Sequence, residues 1–152
     1  MLDKAKTLFK TIGMEKLLGL ITGSILFFLS ALHVFWAFGG KLESVTVIPE
    51  TNGKPTFVPS RGLTLLVALA LFGFGTVALW SSGNIFYPNK TSSIFSLLIS
   101  FIFLGRAIGD FRLVGYFKKI KNTKFAKYDY LLYSPVCILL GTSYFYLGWR
   151  SF

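Results

Sequence analysis

Charge is scarce in this chain, and cysteine and histidine occur once each. Charged residues make up 14% of 152, well below the roughly 25% of ordinary soluble domains, so too little is present to clothe a soluble core. Cys137 alone forms no intramolecular disulfide, and without a Cys/His cluster no zinc site is in prospect. Lying in an apolar run, it reads as a small packing residue. The single histidine, His33, has none of the partners that haem or a metal ion needs. Its plain reading is a hydrogen-bonded residue within a helix bundle. The sequence implies no particular cofactor.

What the chain has instead is 53% hydrophobic residues and a mean hydropathy of +0.63. The apolar residues fall in four blocks and the charges gather between them. That pattern is an all-α membrane protein: a four-transmembrane-helix bundle, with a short β-hairpin cap between the first and second helices, in one domain over 1–152. The spans run about 17–38, 63–80, 92–111 and 131–149, with a hairpin loop at 39–60 and a basic segment at 112–130. The net charge of +10 suggests nucleic acid at first sight. Here, however, the basic residues flank apolar spans, where lysines meet lipid headgroups and set topology, so nucleic acid is not an expected partner.

Lys4, Lys6, Lys10 and Lys16 alternate with apolar residues at helical spacing, as in a short interfacial helix over 1–16. The following run is too long for the h-region of a signal peptide and reads as an uncleaved first span. Gly19 with Gly23, and Gly105 with Gly109, make small-xxx-small pairs suited to close helix approach, and Gly73 and Gly75 also read as close-packing positions. In the loop, Ser44–Ile48 and Thr56–Val58 around Asn52-Gly53 read as a hairpin kept short by Pro49, Pro55 and Pro59. Ser60 is a plausible N-cap for the second span, and Pro135 sits in the first turn of the fourth. Trp36, Trp80 and Trp149 fall near span ends, as an aromatic belt does.

The polar groups within the spans gather at one end. With four spans, the first and third run in the same direction, so His33 and Arg106 each lie roughly 7–8 Å in from the same interface. Trp36 and Asp110 lie one turn further out, Arg61, Asp129 and Tyr133 enter from the returning spans, and Arg112 opens the basic segment after the third span. The opposite half, with Phe27, Phe28, Phe72 and Phe95, reads as almost purely apolar. Charge within a span costs roughly 2.5–3.5 kcal/mol on insertion scales and is usually paired or functional. Arg106 and Asp110, at i and i+4, share one helix face. Asp110, near a helix C-terminus where the macrodipole disfavours an anion, needs a cation from Arg106, Arg112 or Arg61. The expectation is a ligand pocket at this end lined by His33, Trp36, Arg61, Arg106, Asp110, Arg112, Asp129 and Tyr133. Lys118, Lys119, Lys121 and Lys124 are expected at lipid headgroups. The bland alternative is that the Arg–Asp pair is a structural clasp.

Nine Lys and Arg lie on the side bearing 39–60 and 112–130, and six on the other. By the positive-inside rule that count puts the polar end in the cytoplasm, although the N-terminal lysines argue the opposite.

One constellation resembles a known family. It comprises His33-Val34-Phe35-Trp36-Ala37-Phe38-Gly39-Gly40, then Arg106-Ala107-Ile108-Gly109-Asp110-Phe111-Arg112 with Gly115 and Phe117-Lys118-Lys119. Phe125-Ala126, Asp129 and Tyr133-Ser134-Pro135 complete it. Together these residues are similar to an uncharacterised family of small bacterial four-span membrane proteins, a domain of unknown function. The resemblance implies a bacterial integral membrane protein of the cell membrane and brings no activity with it.

Three functions fit these residues, and the sequence does not choose an enzyme over a binder. In the first, the polar end binds or processes a lipid-like, isoprenoid-like or quinone-like amphiphile. His33 would then transfer a proton, Asp110 would be its partner, Arg106 an anion anchor and Trp36 a stacking wall. The second is a small oligomeric transporter or channel, and the third an accessory subunit docking anionic lipid or a partner. Expected partners are membrane lipids, an amphiphilic small molecule and a second copy of the chain.

Overall fold

The computed structural model describes residues 2–40, 47–51 and 54–150, with side chains from Gly13 onward. In chain order the elements are α1 (Leu2–Ala37), β1 (Glu50–Thr51), β2 (Lys54–Pro55), α2 (Arg61–Ser81) and α3 (Lys90–Ile108). A short α4 (Lys124–Tyr128), a π-helical turn (Asp129–Tyr133) and α5 (Ser134–Arg150) follow. Four helical stretches are long and apolar enough to cross a bilayer: Gly13–Ala37, Arg61–Ser81, Lys90–Ile108 and Lys124–Arg150. They alternate in direction, so the C-terminal ends of α1 and α3 meet the N-terminal ends of α2 and α4.

Three boundaries differ from those read in the sequence. Residues 1–16 were expected to form a separate interfacial helix, yet α1 is one helix of 36 residues. No proline removes a donor between Met1 and Ala37. At 1.5 Å per residue α1 is about 54 Å long, well beyond a hydrocarbon core of about 30 Å. The third span was expected to reach Phe111, but α3 stops at Ile108, because Gly109 takes φ +92° and leaves the helical region. The fourth begins at Lys124 rather than Leu131, so the end of the basic segment is helical. Pro135, the second residue of α5, therefore has helical turns before it, in a stretch that begins at Lys124. The turn before it widens to π geometry, the Ser134 N–H reaching back to the Asp129 carbonyl, as befits a helix from which Pro135 withholds a donor.

Side-chain caps fix two other starts. Ser60 Oγ accepts from the Leu63 N–H at 3.2 Å. Asn89 Oδ1 accepts from the Ser92 N–H, and Ser92 Oγ from the Asn89 N–H, both at 3.1 Å, a reciprocal capping box. The hairpin is present and antiparallel, with Glu50 opposite Pro55 and Thr51 opposite Lys54. Its strands are shorter than expected: Ile48 and Thr56–Val58 are not strand, because the prolines at 49, 55 and 59 carry no N–H for a ladder. The Asn52-Gly53 turn and Ser44–Thr46 lie outside the described residues.

α1 packs along α2, and α3 along α5, while α2 bridges the two pairs; α1 and α3 are not a packed pair. Small residues permit the close approaches. A Cβ on Gly23 would stand 3.3 Å from the Gly75 carbonyl oxygen, and Gly19 faces Ser82. Gly141 lies against Leu104 and Gly148 against the Ser93 carbonyl. Gly73 and Gly105 face open space, so the small-residue pair expected at Gly105 and Gly109 does not pack helices. The buried centre is Leu26, Ala78, Ile99, Phe103, Leu140 and Tyr144.

The half of the bundle away from the hairpin is not almost purely apolar, as the sequence reading had it. Ser92, Ser93, Ser96 and Ser100 of α3 are fully buried. Ser81 and Ser96 hydroxyls pair at 2.7 Å, and Ser100 donates to the Gly141 carbonyl at 2.7 Å. In hydrocarbon such hydroxyls bridge helices because no water competes for them. The exposed Phe28, Phe72 and Phe95 that suggested an apolar interior lie on the outside of the bundle.

Candidate functional site

The polar end holds two separate constellations. The first is built on the Asp129 carboxylate, which is fully buried. Arg106 Nη2 donates to its Oδ1 at 2.9 Å, and Lys118 Nζ to its Oδ2 at 2.9 Å. The Gly115 N–H adds a bond to Oδ2 at 2.7 Å, and Ser134 Oγ a longer one to Oδ1 at 3.4 Å. Four donors on one carboxylate satisfy its acceptor sites. The π turn helps, since it sets Asp129 and Ser134 five residues apart on one side of the helix.

The loop after α3 is folded to reach that carboxylate. Gly109 (φ +92°) and Gly115 (φ +82°) lie back to back, and a Cβ on either would collide with the other's backbone. The returning chain closes on the end of α3, with the Tyr116 N–H donating to the Ala107 carbonyl at 2.9 Å. Inside the loop, Asp110 Oδ1 accepts from the N–H groups of Arg112, Leu113 and Val114 at 2.9, 2.7 and 3.0 Å. Burial, the largest single influence, pushes the Asp110 carboxyl up, but these donors together outweigh it and hold the group below its ordinary value of 3.8.

Two pairings expected from the sequence are therefore corrected. Arg106 pairs with Asp129, not Asp110, because the helix ends between them and carries Asp110 into the loop. Asp110 is exposed and its need is met by backbone donors rather than a cation. Lys118, expected at the headgroups, is 3% exposed and paired; its Nζ also donates to the Gly115 carbonyl at 2.9 Å. Lys119, Lys121 and Lys124 are exposed, as are Arg61 and Arg112. Tyr133 is half-buried against Phe125, with ring centres 6.0 Å apart. One donor of the cluster is left over: Arg106 Nη1 is buried without a partner among the described residues.

The second constellation is a partly open cavity of about 510 Å³ at the C-terminal end of α1. His33, Trp36 and Gly40 form one wall, at the i, i+3, i+7 spacing that the sequence showed. Leu63, Thr64 and Val67 from the first turns of α2 form another. Val47, Ile48, Phe57 and Val58 close it from the hairpin side. The His33 and Trp36 rings meet edge-on, with centres 4.9 Å apart. His33 Nδ1 lies 2.8 Å from the Leu29 carbonyl oxygen. Trp36 Nε1 is buried and has no hydrogen-bond partner among the described residues; a donor left so costs about 1–3 kcal/mol.

The structure does not join the two constellations. His33 and Trp36 line the cavity; Arg61, Arg106, Asp110, Arg112, Asp129 and Tyr133 are not among its lining residues. Among the described residues no group of His, Cys, Asp and Glu is arranged to hold a metal ion. The sequence reading underrated Asp129, although one signal for it was present: it is the only acid opposing six cations between residues 112 and 130.

Fold and polar end together define a small helical bundle of the multi-pass membrane class, with a buried carboxylate clasped by two cations at one end. Over residues 26–144 the chain matches the family described as "Protein of unknown function (DUF3995)", and it belongs to that family. No curated protein and no solved structure matches it.

Proposed function

We propose that this protein holds a membrane-borne amphiphile, of the lipid, isoprenoid or quinone kind, in the cavity beneath the hairpin. One observation carries the reading. An apolar-walled cavity at a span end is lined by the chain's single histidine, edge-on to a tryptophan. Ligand sites of this size are mostly apolar with a few convergent polar groups. The Arg106–Asp129–Lys118 cluster is assigned to architecture, because its carboxylate is already shared between two cations. A proton-transfer role for Asp110 is set aside, since its carboxylate is committed to its own loop.

A second reading, docking of anionic lipid, is favoured by the exposure of Lys119, Lys121 and Lys124 beside a span end. By the nine-to-six count of basic residues, the polar end faces the cytoplasm of a bacterial cell. The test of the cavity is to extract the protein with its native lipid and weigh it by native mass spectrometry. A tightly held adduct is expected for the wild type and a marked loss is expected for Val67→Phe, which places a ring in the cavity. An adduct equally abundant in a folded Val67→Phe variant argues against the reading.

A further inference from the structure

Phe111 is the one non-glycine residue with a positive φ among the described residues, at +61°. That backbone is unfavourable for a bulky side chain, and it persists only where the surroundings enforce it, commonly at functional positions. The enforcement is visible in the loop after α3. Asp110 Oδ1 takes the N–H groups of Arg112, Leu113 and Val114, and the buried Asp129 holds the Gly115 N–H. Yet the strained residue does not pack into the core. Phe111 is 58% exposed and Phe117 65%, with ring centres 6.3 Å apart, just past the end of a span. Two phenyl rings held outward are unfavourable in water and favourable at the boundary between headgroups and acyl chains.

Cations stand on the same loop. The Ile120 N–H donates to the Arg112 carbonyl at 3.1 Å, which brings Arg112 beside Lys119 and Lys121 across the loop. All three are exposed. The only acid between residues 109 and 128 is Asp110, and its carboxylate is committed to backbone donors. We infer that this loop is a preformed docking surface for an anionic phospholipid, which lays an acyl chain against Phe111 and Phe117 and its phosphate on Arg112, Lys119 and Lys121. The inference rests on the second reading above, docking of anionic lipid. It adds the place, the chain contact and the reason a strained phenylalanine is kept. The planar fork of Arg112 suits two phosphate oxygens at once, and the lysines add point charges. The rings choose lipid as the source of the phosphate, because a free phosphate ion makes no use of them.

The test is native mass spectrometry of the full chain in detergent, titrated with phosphatidylglycerol and phosphatidylcholine of identical acyl chains. Phosphatidylglycerol is expected to bind at least about tenfold more tightly. Replacing Arg112, Lys119 and Lys121 together by Gln should lower it to the phosphatidylcholine level. Phe111→Asn combined with Phe117→Ser should weaken phosphatidylglycerol by about tenfold with every cation in place. Asparagine tolerates the left-handed backbone, so Phe111→Asn alone should melt at or above the wild-type temperature, which a ring kept for packing does not allow. If the Gln variant loses phosphatidylglycerol while the ring variant keeps it, the docking reading stands and the chain contact is overturned. If Phe111→Asn melts well below the wild type, Phe111 is a packing residue and the inference falls. Equal binding of the two lipids by the wild type overturns the inference and the docking reading together.

Discussion

Arg106 and Asp129 stand 23 residues apart in sequence and meet at 2.9 Å, end of α3 to start of the last span. This contact, with Lys118 on the other carboxylate oxygen, fastens the α3–α5 pair at one end. Breaking a buried ion pair by removing one partner is costly, about 3–5 kcal/mol, because an uncompensated charge remains. Asp129→Asn is therefore expected to destabilise by that order, read as a large loss in thermal stability in detergent. Arg106, a third exposed, matters less, and Arg106→Met should be milder because Lys118 still neutralises the acid. If Asp129→Asn melts like the wild type, the clasp is not structural.

Asp110 predicts a pH dependence of definite sign. Its folded value lies below the ordinary 3.8, so the carboxylate form is favoured by folding. The stability it contributes is present above about pH 3.8 and is lost as pH falls through the folded value. Unfolding curves for the wild type and Asp110→Asn should differ at neutral pH and converge in strong acid. A gap that is constant with pH contradicts this assignment.

The glycines at 105, 109 and 115 separate cleanly by conformation. Gly109→Ala and Gly115→Ala place a Cβ both on a positive φ and against the facing backbone. Each should cost more than about 1 kcal/mol. Gly105→Ala meets nothing within 4 Å and trades glycine for a better helix former, so stability should hold or rise. Thermal melts of the three variants decide it. A Gly105→Ala variant as damaged as Gly109→Ala would mean that the small-residue pair does pack a helix.

The serine contact between α2 and α3 predicts a modest effect. Ser96→Ala removes the 2.7 Å bond to Ser81, and such bonds within membranes average about 0.6 kcal/mol. Ser96→Leu adds bulk at a fully buried position and should cost considerably more. Comparable melting of the two variants is inconsistent with close packing at this seam.

How much of this was legible in the sequence follows from the range of the forces involved. Hydropathy and the prolines, local properties, indicated four spans and a short hairpin, and the i, i+3, i+7 pattern put His33, Trp36 and Gly40 on one wall. The Arg106–Asp110 pairing failed because it assumed the helix continued, whereas Gly109 ends it and Asp110 finds nearer partners in the N–H groups of Arg112, Leu113 and Val114. Lys118 was assigned to headgroups from its neighbours' composition, yet a fully buried Asp129 outcompetes lipid for it. The spacing of Ser92, Ser96 and Ser100 at i, i+4 and i+8 was readable as a helix-packing face. It was missed because serine counts little in hydropathy, though in a bilayer a hydroxyl has nowhere else to bond.

The most direct test of the account compares the cavity with the charge cluster as the seat of the ligand. The measurement is the mass of co-extracted amphiphile retained by folded Trp36→Phe, His33→Leu and Arg106→Met variants, quantified side by side with the wild type. Retention in Arg106→Met and depletion in both cavity variants is the predicted result. Depletion in Arg106→Met with full retention in Trp36→Phe and His33→Leu contradicts it.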